Sequence, residues 1–240
     1  MNAEPMLCRI AGLTVSVPDS GDMAARCAAY RIGAGEPEIV IRGEDYYPAG
    51  YPSLDPMLIP YLESGWQFYE SLLRYDGMML HASAVAVDGK AYCFSGPCGT
   101  GKSTHTALWQ KMLGEKAVLF NDDKPALRRE NGVWYAYGTP WAGKNGLNVN
   151  LRTELGGICF LRQAKENQIR RMTAPEIIRG LLDQTLHRLG PKGMECLLDS
   201  VSRLIEEIPV FELENRPEIA AARLSYETMR AAAGHREELE

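Results

Sequence analysis

Apolar and polar positions first fall into order between Leu7 and Val17, where Ile10, Leu13, Val15 and Val17 alternate with other residues and predict β structure. Glu38 to Arg42 adds a short strand. Gly43 to Pro60 holds four prolines and several tyrosines and reads as an irregular crossing segment. Tyr61 to Tyr75 changes to helical spacing, with Leu62, Trp66, Tyr69, Leu72 and Leu73 near one face. Met78 to Val87 predicts a strand, Asp88-Gly89 a two-residue hairpin turn, and Lys90 to Ser95 the return strand. A helix from Ser103 to Leu113 is closed by Gly114, and Ala117 to Phe120 returns as a strand. Further strands are expected at Gly132–Tyr137, Gly156–Leu161 and Val210–Leu213. Helices are expected at Ala174–Arg188, with Pro175 in the first turn, at Met194–Glu207 and at Pro217–Ala233.

Composition narrows the classes this pattern allows. The chain has 240 residues, 45% hydrophobic and 24% charged, which suits one globular α/β domain with an extension. The boundary falls between Leu73 and Met78, dividing a β-rich extension with a linking helix (1–75) from a larger domain (76–240). Asp and Glu outnumber Lys and Arg by 31 to 26, a net charge of −5, which argues against nucleic acid as a partner. No apolar run approaches the roughly 18–20 residues of a membrane span. The first residues do not read as a signal peptide, so a cytoplasmic protein is expected. Cysteines 8, 27, 93, 98, 159 and 196 form no C-x-x-C, and most are expected to be small buried hydrophobes. The four histidines show no metal-ligand spacing, so oxygen atoms must supply most ligands of any metal.

The chemistry is concentrated after the hairpin. Gly96-Pro97-Cys98-Gly99-Thr100-Gly101-Lys102-Ser103, followed by Thr104, satisfies G-x-x-x-x-G-K-[ST] between an apolar strand and a helix. Backbone N–H groups must wrap the phosphates, and glycines permit that approach. Lys102 supplies charge to the terminal oxygens, and the Ser103 hydroxyl suits Mg²⁺. The competing reading is a glycine-rich turn with an exposed lysine.

Only 20 residues separate Lys102 from Asp122, room for one helix and one strand that returns parallel to the first. Asn121-Asp122-Asp123 is then expected at the strand end beside the loop. One carboxylate could hold a divalent ion while the other accepts a hydroxyl proton, although paired aspartates also start loops. A two-residue turn at Asp88-Gly89 fixes the hairpin register and sets His81 opposite Gly96. There it could ligate a second metal, bond a phosphate or tune the carboxylates, or simply be a structural histidine.

These residues resemble the HPr kinase/phosphorylase and ATP-dependent phosphoenolpyruvate carboxykinase group. The matching order is Leu80-His81-Ala82-Ser83-Ala84, a hairpin, Gly96 through Thr104, one helix, and Asp122-Asp123, over roughly residues 76–146. The resemblance implies an α/β carboxykinase/HPr kinase-like P-loop domain with a mixed sheet and an N-terminal β-rich extension. It implies ATP on Gly96–Thr104, with Mg²⁺ or Mn²⁺ held by Ser103, Asp122 and Asp123. It also implies catalytic roles for His81, Lys102, Asp122 and Asp123, with Asp122 favoured as base and Asp123 as metal ligand. The chain is much shorter than a carboxykinase and lacks the Arg- and Gly-rich signature of bifunctional HPr kinases. The expected activity is therefore phosphoryl transfer to an acceptor hydroxyl, foremost a serine of a protein or peptide. A small-metabolite kinase and a nucleotide-binding regulatory module are the alternatives, and a homo-oligomer stays open.

The loop Gly138 to Gly146 is placed to reach this site, with Lys144 as a neutralising charge and Trp141 as either an acceptor wall or a buried anchor. Arg170 and Arg171 read as a solvated strand end. Cys98 reads as a small filler or an oxidisable thiol. His105, His187 and His235 read as surface or helix residues.

Overall fold

The computed structural model describes residues 4–46, 55–143, 146–186 and 188–237. The predicted N-terminal β structure is a hairpin, β1 (Met6–Ile10) and β2 (Leu13–Val17), turned at Ala11-Gly12 with both residues at positive φ. β3 (Ile39–Val40) joins β2 in parallel, and a short helix, α1 (Met23–Arg26), lies between them in sequence. Of the predicted irregular segment, 43–45 and 56–58 are single 3₁₀ turns, and 47–54 lies outside the described residues.

α2 (Ile59–Leu72) starts earlier than expected and ends in a 3₁₀ turn, Leu73–Tyr75. Its buried face carries Tyr61, Gly65, Phe68, Tyr69 and Leu72, while Trp66 is only half-buried. The spacing was right, but the face is rotated, because α2 is set by Trp141. The Trp141 ring stacks on Phe68 at 4.8 Å and lies against Gly65, where a Cβ would come within 2.9 Å of it. Trp141 is fully buried and donates to the Ser64 hydroxyl at 3.1 Å, so it is the buried anchor rather than an acceptor wall.

The predicted strand Met78–Val87 is two strands. β4 (Gly77–Met79) pairs with β8 (Ala126–Glu130), and β5 (Ala82–Val87) pairs with β6 (Lys90–Ser95) and β7 (Val118–Asp123). The chain changes partners at Leu80-His81, whose amides bond the carbonyls of Pro125 and Gln184 instead of a neighbouring strand. The Asp88-Gly89 hairpin has the expected register, Val87 opposite Lys90 through Ala82 opposite Ser95. β8 was not foreseen: Ala126-Leu127-Arg128-Arg129-Glu130 has too few apolar residues to read as a strand.

β9 (Val133–Tyr137) follows β8 in a meander, and β10 (Arg152–Gln163) runs well beyond the expected segment. The sheet order is β4-β8-β9-β10-β6-β5-β7, with β12 (Val210–Asn215) parallel to the second half of β10 and β11 (Gln168–Arg171) on β12. β7 does run parallel to β6, but β5 lies between them, antiparallel to both.

α3 (Lys102–Leu113) and α6 (Ile219–Glu237) cover one face, where Trp109, Phe94, Phe211 and Met229 are buried together. α4 (Ala174–Asp183) and α5 (Pro191–Glu207) cover the other, with Ile177, Leu181, Leu197 and Leu204 packed against Ala82, Ala84, Phe120 and Ile158. A third cluster joins the N-terminal sheet and α2 to Met79, Ala126, Tyr137 and Trp141. This is a mixed α/β fold with helices on both faces of a mixed sheet. Among the described residues no helix is long and apolar enough to cross a membrane.

Candidate functional site

β6 ends at Ser95, and the chain turns through Gly96, Gly99 and Gly101, all at positive φ, before α3 begins at Lys102. A Cβ at Gly99 or Gly101 would meet nothing within 4 Å, so these glycines serve backbone conformation and leave open space before them. The Lys102 ammonium lies across the first half of the loop, on the carbonyls of Gly96 (2.8 Å) and Pro97 (3.2 Å). Its partial burial lowers its pKa, opposed by Cys98 and by the carboxylates of Asp123 and Asp122. Thr100 bonds the Pro97 carbonyl at 2.9 Å, and Gln163 at the end of β10 holds the Gly99 carbonyl at 2.9 Å. Cys98 is exposed.

Asp122 and Asp123 stand at the end of β7. Opposite Asp122 is Ser83, whose hydroxyl bonds Thr106 of α3 at 2.7 Å, so Asp122 belongs to the α3 face. Asp123 lies opposite Ala82, on the other face. Asn121 shapes the turn: its Oδ1 accepts from the amides of Asp123 (3.2 Å) and Lys124 (2.9 Å), and its Nδ2 donates to the Thr139 carbonyl at 3.1 Å. Gly138 allows this approach, since a Cβ there would overlap the Val149 carbonyl and stand 2.9 Å from that of Phe120.

Asp123 is the centre of a cluster drawn from distant segments. Its Oδ2 receives the Tyr61 hydroxyl at 3.1 Å and the Lys124 ammonium, and its Oδ1 faces His81 Nε2 at 3.6 Å. Tyr61 also accepts the Gly143 amide at 2.9 Å. Arg26 stacks over the Tyr61 ring at 4.5 Å and donates to the Gly143 carbonyl at 3.1 Å. Burial and the neighbouring Asp123 push the Tyr61 hydroxyl up, so it stays protonated as a donor.

His81 is held at both ends of its residue by Gln184, through its amide at 2.7 Å and through Nδ1 to Oε1 at 3.0 Å. Its pKa is lowered, first by burial and then by Lys102. With Nδ1 donating to Gln184, Nε2 carries a lone pair and faces a carboxylate oxygen, a gap suited to a cation or a donated proton.

Lys102, His81, Asp122 and Asp123 are thus brought together, with Gly96–Thr104 beside them. Arg170 is not: it pairs with Glu176 and Glu212 at 2.9 and 2.8 Å, and Arg171 stacks on Phe211. Lys144 and His187 lie outside the described residues. His105 is a helix residue but not a surface one, being buried between Phe94 and Ser225. Tyr61, Arg26, Lys124 and Gln184 had not been singled out from the sequence. Lys124 had a signal, a base directly after two carboxylates; the other three are joined to the site only by folding.

Three His, Cys, Asp or Glu side chains do not gather as a metal cage among the described residues. The donors do fit a divalent ion that takes most of its oxygens from phosphate and water, as Mg²⁺ does. A 620 Å³ cavity borders the first half of the loop, between Pro97, Phe160, Met172 and α4 residues Arg179 and Asp183.

The fold and site therefore define a mixed α/β protein with a glycine-rich loop facing a carboxylate cluster. No family model matches the chain, and no curated protein matches it. One solved structure with similarity is that of the HPr(Ser) kinase/phosphatase from Coxiella burnetii, at 15% identity and a TM-score of 0.36, covering 67% of this chain and 92% of that one. The chemistry of the site accordingly rests on its own geometry.

Proposed function

We propose that this chain is an ATP- and Mg²⁺-dependent phosphotransferase of the HPr kinase-like kind, acting on an acceptor hydroxyl, foremost a serine of a protein or peptide. The carrying observation is the convergence of Lys102 and its open glycine loop on Asp122, Asp123 and His81. The loop amides and Lys102 would bind and orient the phosphate chain. Asp122, on the α3 face with Ser103, is the better placed carboxylate for a divalent ion, which when bound neutralises charge on the phosphate oxygens. Asp123 would take the hydroxyl proton, which reverses the division favoured on sequence. The acceptor oxygen bonds the γ-phosphorus as the bond to the β-phosphate oxygen breaks, and ADP leaves with that electron pair.

The 620 Å³ cavity beside the loop favours a second reading, a small-molecule acceptor. Incubation with γ-labelled ATP and Mg²⁺ against peptide and metabolite pools separates the two. Label on a polypeptide supports the first and label on small molecules alone the second. Bound ATP with no transfer to any acceptor overturns both.

A further inference from the structure

The 620 Å³ cavity lies under α4, over a floor that includes Phe160 and Met172. Gly180 lets α4 approach that floor, since a Cβ there would stand 2.9 Å from the Phe160 ring. The charged side chains lining the cavity fall into two kinds. Arg162 pairs with Glu214, and Glu176 and Glu212 both hold Arg170. Arg179 and Asp183 line the same space and are exposed, and among the described residues neither is in an ion pair. They stand four residues apart on one side of α4, with the base before the acid, the weaker order for a helical pair, and they do not close on each other.

A guanidinium and a carboxylate held open over an apolar floor suit a ligand with an anion, a cation and a short carbon body. The place of the cavity says what such a ligand does. One wall is Gly96 and Pro97, whose carbonyls hold Lys102 at the terminal-phosphate end of the loop. On the other wall Asp183 directly precedes Gln184, which holds His81 beside Asp123. Asp123, the carboxylate placed to take a hydroxyl proton, shares this face of the sheet, whereas Asp122 is on the α3 face.

We propose that this cavity is the acceptor subsite and takes a free hydroxy amino acid, with Arg179 donating to its α-carboxylate and Asp183 accepting from its α-ammonium. The amino acid's hydroxyl gives its proton to Asp123 as its oxygen bonds the γ-phosphorus and the bond to the β-phosphate oxygen breaks. The products are an O-phosphoamino acid and ADP. This inference rests on the phosphotransferase reading and gives its small-molecule branch a substrate class.

Calorimetric titration with L-serine, L-threonine, L-homoserine and L-tyrosine, in the presence of Mg²⁺ and β,γ-methylene-ATP, tests it without relying on turnover. At least one of them should bind, and its N-acetyl and carboxamide forms should each bind at least about tenfold more weakly, the scale of one lost charge-assisted hydrogen bond. Arg179→Gln should bring the free acid and the amide together, and Asp183→Asn the free amine and its N-acetyl form. Both variants, checked for an unchanged melting transition, should bind inorganic triphosphate as the wild-type protein does. With γ-labelled ATP the bound amino acid should become labelled. Binding of none of the four, equal binding of free and blocked forms, or label on polypeptides alone overturns the inference and leaves the phosphotransferase reading standing. Failure of both ATP and inorganic triphosphate to bind overturns that reading, and this inference falls with it.

Discussion

Gly96 to Thr104 and the cluster around Asp123 meet at Lys102, yet the two halves of the site are built in opposite ways. The loop half is one unbroken stretch, closed by its own bonds and steadied by Gln163. The carboxylate half draws on Arg26 and Tyr61 from the N-terminal segment, His81 from the β4–β5 break, Lys124 from the β7 turn and Gln184 from the end of α4. A local device needs only the right residues in order, whereas a dispersed one needs the whole fold in place. Damage to the first should remove chemistry and binding together; damage to the second should misplace groups while binding persists.

The largest break in that comparison is Lys102→Ala, which takes the one cation from the loop. Nucleotide binding should weaken and turnover fall by at least about a hundredfold, the scale of losing one charge-stabilising group. Full turnover in steady-state assays would refute the loop's role. Asp123→Asn comes next: kcat should drop by about 10²–10⁴-fold, as for a lost general base, with ATP affinity nearly unchanged. Asp122→Asn should instead shift the Mg²⁺ concentration needed for half-maximal rate. If Asp122→Asn abolishes transfer at saturating Mg²⁺ while Asp123→Asn is mild, the two roles are exchanged.

Tyr61→Phe sharpens the comparison by removing one oxygen from the N-terminal segment. Gly143 loses its acceptor and Asp123 one of its donors, with the ring and its contact to Arg26 retained. We expect kcat to fall about tenfold, on the order of one hydrogen bond to a charged group, with KM for ATP unmoved. A change in KM alone would show that Tyr61 supports the loop half instead.

The same division explains what could be read in advance. The G-x-x-x-x-G-K-S motif, the hairpin at Asp88-Gly89 and the pair Asp122-Asp123 are local, and their positions follow from turn chemistry and strand period. His81 was placed by counting across the hairpin, and the pairing does end beside it, at Ala82 opposite Ser95. Nothing in Tyr61 or Gln184 marks a partner 62 or 103 residues away. β8 escaped notice because its Arg128, Arg129 and Glu130 are spent on ion pairs rather than on an apolar face.

The smallest effect concerns the seat of the N-terminal segment. Arg128 joins the Ala11 carbonyl (3.0 Å) to Glu130 (2.8 Å), which also receives Tyr137 at 2.6 Å and Arg152 at 2.9 Å. Burial alone would raise the Glu130 carboxyl, but Tyr137, Arg152 and Arg128 outweigh it and hold the pKa below the ordinary 4.5. A carboxylate depressed on folding stabilises the fold fully above its unfolded value and loses that contribution as pH falls through its folded one. Glu130→Gln should therefore cost on the order of 1 kcal/mol at neutral pH, and the difference in Tm from the wild-type protein should shrink steadily below pH 4.5. An equal gap at neutral and strongly acid pH would mean that packing, not the charge network, holds the hairpin. At neutral pH the same variant should leave inorganic triphosphate binding intact while lowering kcat slightly. Loosening the N-terminal seat reaches Asp123 through Tyr61.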